Sequence, residues 1–213
     1  MEEKMKVIVL ENYRSSENCY LVYDENTMDG VVIDPGYDAK GIKERADKEG
    51  INIKYILVTH CHYDHIQYLE EIRALTGAPL AAGKWGSVNI GDPNINLTYA
   101  GLGYEISAKP AEKILADNEE FYAGSLAVKC IYTPGHTNCG VCFIIDNAVF
   151  SGDTLFLRNC GRWDLPTGNQ QQLESSIRTR LYTLDDELIV FPGHGNSTSI
   201  GYEKKFNFVV SEK

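Results

Sequence analysis

The placement of five histidines constrains the fold of this chain more than any other feature. Three of them fall within six residues, in the segment His60-Cys61-His62-Tyr63-Asp64-His65. The other two, His136 and His194, each follow a proline-glycine pair. Imidazole is the commonest metal ligand among side chains, and each of the three segments comes directly after a predicted β-strand. A suitable fold must therefore bring the ends of distant strands together around one metal site.

The charge of the chain limits its partners. Its formal net charge is −10 at pH 7, and such a surface repels phosphate backbones, so we expect no nucleic-acid partner. The sequence has no apolar run of membrane-spanning length, and its start lacks the apolar segment of a secretory signal. We therefore expect a cytoplasmic protein without a membrane partner that acts on a small molecule. The sequence makes no prediction of the oligomeric state.

Six cysteines are present, and two of them form the motif Cys139-x-x-Cys142. This motif usually opens a helix in redox proteins, whereas residues 141–145 read as a strand, in which positions three apart face opposite sides. Free cysteine is also among the residues most often buried. We expect reduced thiols that pack in the core.

The apolar pattern predicts an α/β sandwich with helices on the outside and ligands on loops at one sheet edge. We treat residues 1–213 as one domain. Residues 83–109 show no clear period and read as a surface insertion. The predicted helices cover residues 38–49, 68–76, 172–184 and a last segment that Ser197 or Thr198 caps and that ends at Phe206. The predicted strands cover residues 7–10, 19–23, 31–33, 55–58, 121–122, 127–132, 141–145, 148–150 and 188–191.

The spacing within the histidine motif predicts two neighbouring metal ions. In an extended segment, His60 and His62 point to the same side, as two ligands of one ion require, and His136 is the natural third ligand. Asp64 and His65 are adjacent where the chain turns into a helix, so they can diverge toward a second ion. His194 would complete that second set.

Two aspartates at predicted strand ends extend the site. Asp153, in Ser-Gly-Asp-Thr, is the candidate bridge between two cations, because a shared carboxylate reduces their repulsion. Its alternative role is a turn residue or a helix cap. Asp34, in Ile-Asp-Pro-Gly, either belongs to a turn or accepts a hydrogen bond from a ligand imidazole and so fixes its tautomer.

Four segments, in this order, resemble the metallo-beta-lactamase superfamily and specifically its glyoxalase II-like branch: residues 59–65, 134–137, 151–156 and 192–195. The resemblance implies an αββα four-layer sandwich with a dinuclear site. The first ion would bind His60, His62 and His136, the second would bind Asp64, His65 and His194, and Asp153 would bridge them together with a hydroxide. Zinc is the usual metal, with iron or manganese as alternatives.

The resemblance also implies a thioester hydrolase of the hydroxyacylglutathione hydrolase type, in which the metal-bridging hydroxide attacks the carbonyl carbon. Asp64 and Asp153 are then the catalytic carboxylates. Arg162, in Cys160-Gly161-Arg162, matches a basic residue that contacts glutathione in that branch, or else is an ordinary surface or salt-bridged residue. An aromatic residue expected two positions later is Asp164 here, and we expect no C-terminal helical glutathione-binding domain.

Two other functions stay open at this point. The stretch from residue 157 to 162 resembles persulfide dioxygenases of the same superfamily, which hold a single iron on two histidines and one aspartate. Their last motif differs from the Gly-His-Gly found at residues 193–195, and the full dinuclear ligand set favours hydrolysis. The remaining alternative is a metal-stabilised module that binds a ligand or a protein without catalysis.

Overall fold

Two six-stranded sheets form the centre of the protein in the computed structural model, which describes residues 5–106 and 108–211. In the first sheet, β1 to β3 are antiparallel neighbours, and β3 to β6 are parallel. Its strands, side by side in chain order, are β1 (Met5–Asn12), β2 (Glu17–Asp24), β3 (Asp29–Ile33), β4 (Asn52–Val58), β5 (Leu80–Gly83) and β6 (Lys113–Leu115).

The second sheet contains the later strands and is mostly antiparallel. Its strands are β7 (Glu120–Ala123), β8 (Leu126–Tyr132), β9 (Val141–Ile145), β10 (Ala148–Gly152), β13 (Ile189–Pro192) and β14 (Thr198–Ser199). They lie in the order β14-β13-β10-β9-β8-β7, and only β10 and β13 pair in parallel. A separate small hairpin joins β11 (Leu155–Phe156) to β12 (Asn159–Cys160).

Helices cover the outer faces of both sheets. They are α1 (Ala39–Glu49), α2 (Tyr63–Ile66), α3 (Leu69–Thr76), α4 (Lys84–Asn89), α5 (Pro93–Asn96), α6 (Thr98–Leu102), α7 (Gln170–Ser176) and α8 (Ile200–Phe206). A π-helical segment, Ile177–Leu181, continues α7. No helix within the described ranges is both long and apolar enough to cross a lipid bilayer.

Three buried clusters account for the layers. One cluster packs α1 and α3 on the outer face of the first sheet, and another fills the space between the sheets with side chains such as Phe143 and Phe150. The last packs α7 and α8 on the outer face of the second sheet. The order of layers is helix, sheet, sheet, helix, so the predicted αββα sandwich is confirmed.

Helix α1 shows how local sequence sets an element. Asp38 caps its start by accepting from the backbone N–H groups of Lys40 and Gly41. Gly50, in the left-handed conformation at φ 75°, ends it. Ile42 and Ala46, one turn apart on the same face, are buried against the sheet. The helix predicted over residues 38–49 is therefore confirmed.

The segment after β5 differs from its prediction. Where the sequence showed no period, the structure has α4, α5 and α6, each of four to six residues. Helices this short complete little more than one turn, so they leave no hydrophobic period to detect. Their signals are local, as in Asp92, whose side chain caps α5 next to Pro93. Ser107, within the predicted insertion, lies outside the described residues.

Smaller differences arise at element ends. Helix α7 starts at Gln170 rather than residue 172, because the Asn169 side chain caps it. Helix α8 is capped by Ser199, so the prediction of Ser197 or Thr198 is wrong. Five strands were not predicted, since two to four residues are too few to show alternation: β5, β6, β11, β12 and β14.

All six cysteines are buried free thiols, as predicted. Cys139 packs in the outer cluster of the first sheet, and Cys142 packs in the outer cluster of the second. The two thiols of the Cys-x-x-Cys motif therefore face different layers. The Sγ atom of Cys139 lies 3.3 Å from that of Cys61.

Candidate metal centre

The ends of four strands meet at one edge of the sandwich and carry the candidate ligands. His60 and His62 follow β4, and His136 follows β8. Asp153 comes directly after β10, and His194 follows β13. Strands β10 and β13 are parallel neighbours, so their carboxyl ends lie at the same edge. The fold thereby brings together side chains that are up to 134 positions apart in the chain.

His60, His62 and His136 form one compact group. Their candidate ligand atoms all lie within 4.8 Å of one another, and all three residues are buried. His62 Nδ1 is 2.9 Å from His136 Nε2. The rings of His60 and His62 have centroids 4.8 Å apart, as the alternation of an extended segment predicts.

Asp64, His65 and His194 form a second group, with ligand atoms again within 4.8 Å. Asp64 and His65 belong to the one-turn helix α2, which begins directly after His62. The Oδ2 atom of Asp64 lies 3.3 Å from His194 Nε2. Both groups therefore match the two sets that the sequence predicts.

Asp153 lies between the two groups. Its Oδ1 is 3.4 Å from His65 Nε2, and its Oδ2 is 3.5 Å from His136 Nε2 and 3.7 Å from His194 Nε2. A carboxylate in this position can offer one oxygen to each of two ions. Its place at the end of β10 also excludes the alternative of a helix cap, since no helix follows it directly.

Three of the imidazoles are held by oxygen acceptors on the side away from the cluster. Nδ1 of His65 lies 2.9 Å from Asp34 Oδ2, and Nδ1 of His136 lies 2.6 Å from the Arg162 carbonyl oxygen. Nδ1 of His194 lies 3.0 Å from the Ser16 carbonyl oxygen. Because these oxygens only accept, each Nδ1 carries a proton, and each Nε2 faces the cluster as the nitrogen that a cation can bind.

Asp34 organises this outer layer. It adopts a left-handed backbone conformation, φ 51°, directly after β3, and its carboxylate accepts from the Thr59 backbone N–H and hydroxyl at 2.7 and 2.6 Å. The same carboxylate accepts from His65. Asp34 thus connects Thr59, at the start of the histidine motif, to the imidazole of His65. This contact corresponds to its predicted role as a hydrogen-bond acceptor for a ligand imidazole.

Buried atoms without partners test whether a cation fits. His60 Nε2, His65 Nε2 and Asp153 Oδ1 are buried and have no hydrogen-bond partner among the described residues. Leaving several such groups unsatisfied is unfavourable in a protein interior. These three side chains also form a group with ligand atoms within 4.8 Å of one another. A divalent cation would satisfy all of them, so the donor set fits a metal.

The protonation states of His60, His62 and Asp153 agree with metal binding. Burial, with the neighbouring His136 next in effect, lowers the pKa of His62 to about 3, and burial also holds the pKa of His60 well below its usual value. Burial raises the pKa of Asp153, but the surrounding imidazoles, His65 first, outweigh it and hold that pKa well below its usual range. Neutral imidazoles and an ionised carboxylate are the forms that bind a metal.

Burial lowers the pKa of His65 and His194, but the carboxylates beside these rings outweigh it and raise both pKa values. A cation that binds these two imidazoles therefore displaces their protons.

An open cavity of about 500 Å³ leads to this cluster. His62, Asp64, His136, Asp153 and His194 line it, and so does Arg162. The guanidinium of Arg162 makes two hydrogen bonds to the Asp164 carboxylate, at 2.7 and 2.8 Å, and both side chains are exposed. The salt-bridged alternative for Arg162 is thus observed, and its predicted contact with substrate stays a prediction.

Residues 12–194 match the metallo-beta-lactamase superfamily, a span that holds all seven candidate ligands. The chain belongs to the metallo-beta-lactamase superfamily. Two relatives place it within that superfamily. It is 34% identical over 211 residues to a probable metallo-hydrolase of Streptococcus pyogenes, with 95% of this chain and 89% of the relative covered. It is 31% identical over 205 residues to the hydroxyacylglutathione hydrolase GloC of Haemophilus influenzae, with 92% and 94% covered.

Solved structures of the superfamily agree. BLEG-1, a B3 metallo-beta-lactamase, superposes with a TM-score of 0.89 at 31% identity and covers 97% of this chain and 99% of its own. ETHE1 from Myxococcus xanthus has a TM-score of 0.80 at 29% identity, with 98% and 85% covered. TTHA1623, solved in a di-iron-bound form, has a TM-score of 0.82 at 29% identity, with 95% and 99% covered.

The superfamily and its relatives establish the coarse function. This member of the metallo-beta-lactamase superfamily is a metal-dependent hydrolase, and its histidine and aspartate clusters provide sites for divalent metal. The similarity to GloC and to ETHE1 places the chain in the glyoxalase II-like branch.

Glycines beside the ligands were not recognised from the sequence. A Cβ atom on Gly193 would lie 2.3 Å from Asp153 Oδ1 and 2.7 Å from His65 Cε1, and a Cβ atom on Gly161 would lie 1.9 Å from the Asp153 carbonyl oxygen. The proline-glycine pair before His194 suggested only a turn. Its position directly before a ligand was the available signal that glycine is needed for space.

Gly193→Ala is expected to lower kcat/KM by about a hundredfold, because the added methyl group must displace Asp153 or His65 and a shift of about 1 Å in a reacting group has that effect. The variant should remain folded but bind metal more weakly. The control is Gly86→Ala, where a Cβ atom meets only Ala82 at 3.6 Å. Equal kcat/KM values for Gly193→Ala and Gly86→Ala would contradict the packing argument.

Asp34→Asn tests the outer hydrogen bonds. The amide keeps the size of the carboxylate but loses its charge, so it holds His65 Nδ1–H less firmly. We expect a metal affinity about 10- to 100-fold lower, measured by competition with a chelator. Asp38→Asn, at the cap of α1 where asparagine serves equally well, is the matched control. An unchanged metal affinity in Asp34→Asn would show that this bond does not orient the ligand.

Proposed function

We propose that this protein hydrolyses small acyl thioesters at a centre of two divalent metal ions, with zinc as the first candidate. The observation that carries the proposal is the convergence of seven donor side chains at one edge of the sandwich, where five of them line an open cavity. Asp153 lies within 3.4 to 3.7 Å of imidazoles from both groups, a distance that suits a shared ligand. The similarity to a hydroxyacylglutathione hydrolase supports the choice of a thioester.

The reaction needs few groups from the protein. The oxygen of a water molecule bonds to the acyl carbon, and the carbon–sulfur bond breaks with its electron pair remaining on sulfur. The products are a carboxylate, a thiol and one released proton. Because an ordinary thiol has a pKa of about 8.5, the thiolate leaves without a strong general acid. Metal ions, when bound, polarise the carbonyl and lower the pKa of water so that it attacks near neutral pH.

The chain's own residues position the reactants. Asp64 lines the cavity and lies 3.3 Å from His194 through its Oδ2, so it can accept a proton of the attacking water. Asp153 lies between the two groups of imidazoles and contacts both of them. His65, His136 and His194 are fixed in one tautomer by oxygen acceptors, so the site needs little reorganisation when substrate binds.

The metal identity is part of the proposal. Imidazole and carboxylate ligands suit zinc, iron and manganese, so donor type alone does not separate them. The similarity to TTHA1623 in its di-iron-bound form supports a site for two ions and makes iron the main alternative. Metal analysis of protein loaded separately with each ion, followed by activity measurement, would rank the three metals.

A thiol-release assay tests the proposal directly. Metal-loaded protein should release thiol from S-lactoylglutathione, from simple acyl thioesters, or from both, and a thiol-reactive dye would detect it. Release should stop when a chelator removes the metal and return when the ion is restored. If the fully loaded protein left every thioester intact, the proposed function would be wrong.

Two further substrates belong in the same panel. The resemblance of residues 157–162 to persulfide dioxygenases, together with the similarity to ETHE1, makes oxygen uptake with glutathione persulfide the second candidate reaction. The similarity to BLEG-1 makes a chromogenic β-lactam a useful third substrate. Oxygen uptake without thiol release would favour the dioxygenase, and β-lactam hydrolysis alone would favour a lactamase.

A further inference from the structure

One wall of the cavity is apolar and reaches the metal centre. Besides the candidate ligands, the cavity is lined by Leu97, Ala100, Phe156 and Leu165. The Phe156 ring stands edge-on to the imidazole of His194, with centroids 6.2 Å apart. A ligand whose reacting carbon is at the metal centre would therefore place its neighbouring atoms against hydrocarbon.

Leu97 has a backbone conformation that favours glycine or asparagine. It joins α5 to α6 at φ 62° and ψ 20°, in the left-handed region, where a side chain with a Cβ atom is strained. Its side chain is only partly buried and belongs to none of the three core clusters. Packing of the core thus gives no reason for leucine here, whereas the apolar surface that it presents to the cavity does.

The segment that carries Leu97 is held firmly. Buried Asn96 donates to the Ile90 carbonyl oxygen at 3.0 Å and accepts from the Thr98 N–H at 3.0 Å. Gly101 lies so close to Tyr63 that a Cβ atom would be 2.2 Å from the ring. Since Tyr63 stands between two candidate ligands in the chain, α6 is packed directly on the metal-binding motif. The apolar wall therefore has a fixed position relative to the reacting atoms.

The charges at the cavity do not favour an anionic carrier. Among the described residues that line the cavity, Arg162 is the single basic residue of the lysine or arginine type. Asp164 neutralises this cation through two hydrogen bonds. Because the charge of Arg162 is already offset by Asp164, the carboxylates of a tripeptide thiol would meet no uncompensated lysine or arginine there, whereas an uncharged amide arm needs none.

We infer that the preferred substrates are thioesters of an apolar acyl chain of several carbons on a thiol arm that carries amides rather than carboxylates. The acyl chain lies along Leu97, Ala100 and Phe156. This inference rests on the proposed function and names its substrate class. Leu97 is then a specificity-determining residue, and its strained backbone is retained because the side chain contacts substrate.

Calorimetry with thioethers, which cannot be hydrolysed, tests the apolar wall without turnover. On metal-loaded protein, S-hexyl-N-acetylcysteamine should bind at least about tenfold more tightly than the S-methyl compound, since each fully buried methylene strengthens binding by a factor of about 4. Leu97→Asn should remove most of this difference. Asparagine adopts the left-handed conformation readily, so the variant should melt no lower than the natural protein.

The matched control is Leu75→Asn, at an exposed leucine of α3 outside the cavity, and it should keep the full preference for the hexyl compound. Equal binding of the methyl and hexyl compounds, or an undiminished preference in Leu97→Asn, would overturn the inference.

Turnover separates this inference from the proposed function. Hexanoyl-N-acetylcysteamine should be hydrolysed with a higher kcat/KM than S-lactoylglutathione. Thioester hydrolysis with no dependence on chain length would overturn the inference and leave the proposed function intact. Chain-length-dependent binding without hydrolysis of any thioester would support the apolar wall and overturn the proposed function.

Discussion

Asp153→Asn is expected to lower kcat/KM for thioester hydrolysis by at least about a thousandfold, with the protein still folded. Asp153 lies 3.4 to 3.7 Å from imidazoles of both groups. An amide has the same size as the carboxylate but no charge, and only its oxygen can bind a cation well. The repulsion between two ions would then lack its shared anion, so metal content should fall along with activity.

The measurement is kcat/KM together with metal content per chain after identical loading. Asp146→Asn is the matched control, because Asp146 is an exposed hairpin residue at φ 51°, a conformation that asparagine adopts readily. Asp146→Asn should retain full activity. If Asp153→Asn kept more than about a tenth of the natural kcat/KM, this carboxylate could not bridge the two ions.

Removal of metal is expected to lower the melting temperature by about 10 °C and to abolish hydrolysis. Without cations, the carboxylates of Asp34, Asp64 and Asp153 all act electrostatically on the buried Glu17, and several buried ring nitrogens have no partner among the described residues. A ligand present at a thousand times its Kd stabilises the folded state by about 4 kcal/mol. In a domain of this size, each kcal/mol shifts the melting temperature by about 2–4 °C.

Scanning calorimetry before and after dialysis against a chelator would measure this shift. Adding back zinc should restore both the melting temperature and the activity, which separates metal loss from irreversible damage. Equal melting temperatures with and without metal would mean that cation binding at this cluster does not stabilise the folded state.

The sequence was most informative where the chemistry is local. In the motif from His60 to His65, an extended segment and one helical turn position the donor side chains. Both features can be recognised from six residues of sequence. The strands that lead to His136, Asp153 and His194 have clear apolar patterns. Parallel strands of a sheet end at the same edge, and each of these side chains follows a strand. Their convergence could therefore be predicted from the sequence.

Long-range contacts could not be read from the sequence. His136 and His194 are held by the carbonyl oxygens of Arg162 and Ser16, and any residue has a carbonyl group. The clearance at Gly193 depends on how close β13 lies to β10, which no local pattern encodes. Arg162 was recognised for its guanidinium, while its backbone oxygen makes the contact to a candidate ligand.

The region between β5 and β6 shows a similar limit. Its three short helices gave no period, so the sequence indicated only an insertion. The structure shows that Leu97 and Gly101 bring this region against the cavity and against Tyr63. Its contribution to substrate choice is therefore a prediction from tertiary packing.

Anomalous scattering from crystals of the metal-loaded protein tests the central claim most directly. The account predicts two peaks per chain. One peak should lie among His60, His62 and His136, and the other among Asp64, His65 and His194, with Asp153 between them. A single peak, or none, after full loading would contradict a dinuclear centre and the hydrolytic chemistry proposed for it.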